Sequence, residues 1–304
     1  MLPIHPSAPQ QFRQRNELLQ KCLRPEPLPF PIEAEYPIVL APEGSIYSYC
    51  VYEGEEICSH ANLWPRRAIN ELGEEAFRLG LVGNVATDAA LRGHGYMRSL
   101  LSTIEEEATS QGLAALVLWS DLDSFYHKLG FTSVGREYRF HYLRGSLPPC
   151  DIQPIHVGYS SYSDDFLANV LRLRLALPLT LGRNIEEFKR LLSIPWLKLY
   201  VSIKKDQPTA YALMGKGYDM VGVVHEWGAR EPKELLKLLS YICQDSDLEQ
   251  TMLLSPAGLS AHWRRTLAAV AALNEELPMA LMRVIDPRHQ SSLENLFVWG
   301  LDSI

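Results

Sequence analysis

The run from Val85 to Arg98 reads VATDAALRGHGYMR. A β-type stretch ends there, a loop with Arg92, Gly93, His94 and Gly95 follows, and a helical pattern opens at Tyr96. Successive main-chain N–H groups in such a loop can converge on one anion. A helix N-terminus adds roughly half a positive charge. Glycines let the backbone approach a ligand closely, and Arg92, His94 and Arg98 add side-chain donors. The group this arrangement suits is a pyrophosphate. Neither GxGxxG nor GxxxxGK[ST] occurs here, so the loop is neither a dinucleotide fingerprint nor a P-loop.

The surrounding pattern supplies elements to hold that loop. Ile46–Tyr52 and Ile57–Trp64 read as strands of a hairpin turned at Glu53–Glu56. Leu79–Thr87 reads as a third strand, in which Gly80 and Gly83 announce a bulge or a close backbone approach. Tyr96–Gln111 is helical, with Met97, Leu100, Leu101, Ile104 and Ala108 on one face. Glu105–Glu107 are expected on a solvated face. Leu113–Trp119 is a continuous apolar run, as in a strand covered on both sides. Together these make a βαβ unit.

Before it, Gln11–Leu23 is a short helix candidate. Pro25, Pro27, Pro29, Pro31 and Pro37 then predict an extended arm lying on a surface. After it, the Pro-rich stretch Ser146–Pro154 predicts a domain boundary, giving domains at 1–145 and 151–304.

The second half offers helices at Asp164–Leu177 and Asn184–Ser193, and a hairpin, Leu197–Lys204 and Thr209–Gly215, turned at Lys205–Pro208. A strand Met220–Trp227, a helix Pro232–Cys243, a strand Thr251–Ser255 and a helix Ala261–Leu273 follow. Strands at Met279–Ile285 and Asn295–Trp299 close the pattern. Hairpin, strand, helix, strand thus recurs, and Val82–Val85 aligns with Val221–Val224.

Composition narrows the function classes. The chain has 304 residues, 47% apolar and 21% charged, so it buries ample core without disulfides or structural metal. Its net charge of −7 argues against a dedicated nucleic-acid partner. Cys22, Cys50, Cys58, Cys150 and Cys243 show no metal-ligand spacing and read as reduced thiols of a cytoplasmic protein. No basic n-region precedes an apolar run at the N-terminus. No apolar stretch reaches the roughly 18 residues of a membrane span.

A second landmark follows the apolar strand: Asp123-Ser-Phe-Tyr-His-Lys-Leu-Gly-Phe131. With the loop, it makes the sequence resemble the GCN5-related N-acetyltransferase (GNAT) superfamily. That family's pyrophosphate motif is Q/R-x-x-G-x-G/A at the opening of a helix, followed further on by a Tyr four residues before a Gly-Phe pair. Arg92-x-x-Gly95-x-Met97 matches the first except at Met97, where a small residue is usual. Tyr126 with Gly130-Phe131 matches the second in full. The Asn often found after the fifth strand is replaced by Ser120 and Asp121. The resemblance covers residues 38–145 well. The second half resembles the degenerate domain of tandem bacterial members, with Gly228–Pro232 where a phosphate loop would stand, so no acyl-CoA is expected there.

The resemblance implies an α/β fold on a mixed sheet, with two tandem GNAT-like domains, and acetyl transfer from the co-substrate acetyl-CoA to an amine. The main chain of Val85, Ala86 and Thr87 would run beside the pantetheine arm, with the Val85 N–H on the thioester carbonyl. Arg92, Gly93, His94, Gly95, Tyr96, Met97 and Arg98 would hold the pyrophosphate. Tyr126 would give a proton to the departing thiolate. The base stays open among His60, His225, Glu226, a C-terminal carboxylate at Ile304, and water. Tyr47, Tyr49 and Trp64 line a pocket or pack in the core. A non-catalytic acyl-CoA sensor is the second reading.

Overall fold

The computed structural model describes residues 5–24, 26–150, 155–157 and 162–304. Helix α1 (Pro9–Leu23) opens it and buries Arg15, Leu18 and Leu19. The expected extended arm is instead folded into short helical turns. A one-turn helix, α2 (Ile32–Glu35), lies between Pro31 and Pro37, and Pro42–Tyr47 forms a 3₁₀ turn. Proline suits the start of a helical turn. Ile32, Val39 and Leu40 gain core burial that a surface-lying extended chain would forgo.

The first repeat then begins. Strands β1 (Ser48–Glu53) and β2 (Glu56–Ile69) pair antiparallel, and β3 (Glu75–Thr87) lies against β2. An eight-residue loop leads to α3 (Tyr96–Ser110), β4 (Ala115–Leu118) and the five-residue α4 (Asp123–His127). Strand β5 (Thr132–Leu143) follows, where the sequence pattern predicted none. The Pro-rich break comes next; residues 151–154 of it lie outside the described residues.

The second half contains β6 (Ile155–Val157), α5 (Asp164–Leu171), β7 (Leu179–Leu181) and α6 (Ile185–Leu191). Its repeat is β8 (Lys198–Lys204), β9 (Gln207–Met214), β10 (Val223–Ala229), α7 (Pro232–Asp245) and β11 (Gln250–Pro256). Then come α8 (Ala261–Ala268), β12 (Leu273–Val284), α9 (Gln290–Leu293) and β13 (Leu296–Phe297). Three expectations are corrected here. Helix α5 stops at Leu171, because Arg174 bridges to Gly228 of β10. The β8–β9 turn is Lys205-Asp206, both at positive φ as a tight two-residue hairpin requires, with Pro208 inside β9. Helix α8 ends at Ala268, and Leu273 already belongs to β12.

The thirteen strands among the described residues form one sheet, ordered β13-β7-β2-β3-β4-β12-β5-β11-β10-β9-β8-β6, with β1 beside β2. The two halves exchange strands at its centre. β5 leaves the first repeat to pair with β11 of the second, and β12 comes back to lie between β4 and β5. α3 covers one face through Leu100, Leu101, Ile104 and Ala108, packed on Leu63, Val82, Leu116, Tyr126 and Phe131. A larger core takes in α7, Leu19 of α1 and Trp227, and a further cluster lies under α5 and α6 around Leu167, Val170 and Phe188.

Candidate functional site

The β2–β3 register slips between His60 and Asn62, so Asn84 and Val85 face the single residue Ala61. Asn84 takes φ +48°, a left-handed conformation that Asn tolerates. His60 Nδ1 donates to the Asn84 carbonyl at 2.8 Å, and Asn84 Nδ2 donates to Asn62 Oδ1 at 3.0 Å. The bulge announced by Gly80 and Gly83 is therefore present. Gly83 also meets the close approach: a Cβ there would overlap the main chain of Ile304.

β3 and β4 run parallel and pair only at Gly80–Leu116 and Leu81–Val117. Beyond those pairs the strands diverge, with Val85–Thr87 on one side and α4 on the other. At the end of β3, Asp88 caps the 3₁₀ turn Ala89–Leu91 by accepting from Ala90 N at 3.0 Å. Gly93 and Gly95 take φ +88° and +82°, and a Cβ on either would meet nothing within 4 Å. α3 starts directly after Gly95, so the N–H groups of its first turn have no partner within the helix. Arg92, Gly93, His94, Gly95 and Arg98 are exposed, while Val85, Thr87, Tyr96 and Met97 are half-buried and Ala86 is buried. The Met97 side chain packs on the apolar cluster beneath α3, so its bulk is turned into the core.

The loop has supports that sequence reasoning missed. Lys21, near the end of α1, pairs with Asp88 at 2.7 Å, and Cys22 Sγ lies 3.6 Å from the Thr87 carbonyl. Lys21 had no recognisable signal, because its partner is 67 residues away.

Tyr126 sits on α4 with 4% exposure, its ring edge-on to Phe125 and Phe131. Burial pushes its hydroxyl up to about 12, against a smaller opposite pull from Ser120. The phenol is thus a reservoir of a proton at neutral pH. Beside α4, a cavity of about 470 Å³ is floored by Leu101, Leu116 and Phe131 and rimmed by Arg98, Lys128, Glu105 and Arg283. Tyr126 does not line it. Glu105 is not simply a solvated acid: it is ion-paired with Arg283 of β12.

The candidate bases separate clearly. Arg183 holds Glu226 by two hydrogen bonds of 3.0 and 2.8 Å, and Tyr211 donates to the same carboxylate at 3.1 Å. His225 Nε2 bonds to the Gly215 carbonyl at 2.8 Å, and burial pushes the ring down to about 3. His60, also pushed down to about 3 by burial, and Ile304 are the two that stand at the β3 bulge. The segment before Ile304 is anchored twice. Lys216 Nζ donates to the Gly300 carbonyl at 2.7 Å and to Ser303 Oγ at 2.8 Å. Buried Asp302 pairs with Arg183 at 2.8 Å and Arg66 at 3.3 Å, and these cations hold its carboxyl below the usual range. Tyr49 and Trp64 pack in the core and Tyr47 is half-buried against it.

No curated protein matches the chain in sequence at a significant level. The acetyltransferase (GNAT) domain profile matches residues 3–134. Among solved structures, the fold is similar to a probable N-acyltransferase of Enterococcus faecalis V583 (TM-score 0.69, 14% identity, 97% of this chain and 74% of that one). A GCN5-related N-acetyltransferase of Anabaena variabilis gives TM-score 0.64 at 13% identity over 92% and 72%. A tandem GNAT protein of the clavulanic acid biosynthesis pathway gives 0.58 at 10% over 94% and 98%. No helix among the described residues is long and apolar enough to cross a membrane. Residues 3–134 thus match the acetyltransferase (GNAT) domain model, and the whole chain has the tandem GNAT fold.

Proposed function

We propose that the protein transfers an acetyl group from acetyl-CoA to an amine of a small molecule or peptide. The observation that carries this reading is a pair of features flanking the β3–β4 opening. On one side are the α3 N-terminus and its two open-sided glycines; on the other is the buried, protonated Tyr126. The residues fit a pyrophosphate, since Gly93 and Gly95 leave room for it and Met97 is turned inward. Gly93 to Arg98 would hold it, with Arg92 as a further donor. The cavity rimmed by Arg98 and Lys128 would take the 3′-phosphoadenosine end. In a reducing compartment such as the cytoplasm, the five unbridged cysteines would persist.

In the reaction, the amine nitrogen attacks the thioester carbonyl carbon, and a C–N bond forms. The Val85 N–H donates to the carbonyl oxygen as negative charge collects there. The C–S bond breaks, its electron pair stays on sulfur, and the Tyr126 hydroxyl gives that sulfur its proton. The amine's surplus proton leaves through water at the bulge, bordered by His60 and Ile304. Tyr126 then regains a proton from solvent.

Titration calorimetry with acetyl-CoA, followed by a thiol-release screen against amines, tests the proposal. Tyr126→Phe keeps the ring, so acetyl-CoA affinity should hold while turnover falls by at least roughly tenfold, at the low end of general acid catalysis. Activity within about twofold of wild type would mean that another group delivers the proton. Tight binding with no thiol release from any amine would favour the sensor reading.

A further inference from the structure

The second half reaches into the candidate site through one side chain. Strand β12 lies between β4 and β5, and in that register Arg283 stands opposite Leu116 on β4. Its guanidinium points to the α3 side of the sheet. One arm donates to the carbonyl of Leu129, and the other pairs with the Glu105 carboxylate on α3. A planar fork with donors on both arms can hold two acceptors on two different elements at once.

Leu129 belongs to the turn that closes α4. Leu129 N and Phe131 N both donate to the Tyr126 carbonyl, at 2.9 and 3.1 Å, and Gly130 N donates to His127 O at 3.0 Å. Tyr126 and Arg283 therefore grip the same short turn. Gly130 takes φ +82°, and a Cβ there would lie 3.0 Å from Arg283 Nη1. A five-residue helix has almost no stability of its own, so its position is set by tertiary ties of this kind. On the other arm, Glu105 lies on the helix whose N-terminus carries the phosphate loop.

We propose that Arg283 is a positioning residue for Tyr126. It ties the acid's helix to the helix of the phosphate loop, so the second half contributes to turnover although it has no phosphate loop of its own. This rests on Tyr126 being the acid. The pair is about one-third exposed, so its share of overall stability is small. Its effect belongs in geometry, where a misplacement of about 1 Å can cost as much as 10²-fold.

The test is a double-mutant cycle on the full chain. Arg283→Met keeps the straight stem and removes the donors. It should lower kcat, read at saturating acetyl-CoA, about five- to tenfold and barely move the melting temperature; Arg283 also rims the cavity proposed for the phosphoadenosine end, and saturation removes any change in affinity from the comparison. Arg283→Lys, which can reach one acceptor but not both, should recover part of the loss. In a Tyr126→Phe background, Arg283→Met should cost less than about twofold more, because the group it positions is gone. Two outcomes overturn the inference: wild-type kcat in Arg283→Met, or the same fold-loss with and without the Tyr126 hydroxyl. If Arg283→Met fails to fold, Arg283→Lys carries the same cycle. A Tyr126→Phe variant with full turnover would sink the acid assignment first, and this inference with it.

Discussion

After β3 the first half spends eight residues, Asp88–Gly95, before α3 begins; after β10 the second half spends two, Arg230 and Glu231, before α7. Around these turns the repeats agree. Each has a hairpin, a third strand whose register slips, a parallel partner, and a buried histidine at the slip, His60 in one and His225 in the other. The turns differ in every property an anion needs. α3 starts after a left-handed glycine that leaves open space, whereas α7 starts with Pro232, which has no N–H to offer. Arg230 N is taken by the Thr209 carbonyl, and Glu234 N and Leu235 N both turn to the Glu231 carbonyl. Gly228 is needed for contact with the Leu173 main chain, which a Cβ would strike. One scaffold thus keeps an open helix end only where the connecting loop is long. The closed half is released for other work: β12, Arg283, and the anchored segment through Asp302.

The largest effect should come from separating the halves. A fragment ending at Pro149 loses β12, which pairs with β4 through four residues and with β5 along most of its length. Two central strands would be left with open edges, which favour association over folding. The fragment should lack a cooperative thermal transition. A cooperative melt that acetyl-CoA shifts upward would show the first half to be self-sufficient and the strand exchange to be dispensable.

Charge reversal at the two turns sharpens the same contrast. Arg92→Glu puts a carboxylate beside the proposed pyrophosphate site and should weaken acetyl-CoA binding by tenfold or more, about 1.4 kcal/mol. The loss should shrink as salt is added. The mirror change, Glu231→Arg, should create no second site, since Pro232 offers no N–H and those of Arg230, Glu234 and Leu235 stay occupied. Calorimetric stoichiometry reads both; two bound molecules per chain in Glu231→Arg would mean that charge, not geometry, separates the halves.

The βαβ unit around the loop was legible because each signal was local: two strand runs, two glycines, an amphipathic helix and a stop at Gly112. Tyr126 became a candidate through a family resemblance carried by its spacing to Gly130 and Phe131, and the fold buries it on α4. What escaped was set by distant parts of the chain. Strand β5, TSVGREYRFHYL, has no clean alternation of buried and exposed positions, and both its neighbours, β11 and β12, come from the other half. Helix α8 was extended too far because Val270 to Leu273 continue an apolar pattern that a strand serves equally well. Arg283, Lys216 and Lys21 carry ordinary side chains in ordinary stretches, and only the fold gives them partners.

The remaining expected effect is on stability and concerns the two histidines that mark the register slips. Both are held neutral by burial, with pKa values pushed from about 6.5 down to about 3. Arg15 adds to the effect at His60, and Lys216 and Arg183 at His225, where Asp302 opposes it. A group whose folded pKa is depressed binds its proton more readily in the unfolded chain. Stability should therefore be complete above about pH 6.5 and fall as pH drops toward 3, by about 1.4 kcal/mol per pH unit for each histidine. Urea midpoints at pH 7 and pH 5 measure this. His60→Gln and His225→Gln should each be less stable than wild type at pH 7, having lost a 2.8 Å bond to a carbonyl. Each should also lose less on acidification, by about one proton's share, and by a similar amount in the two halves. An acid slope that His60→Gln reduces but His225→Gln leaves untouched would break the symmetry. The two register slips would then be alike in backbone only.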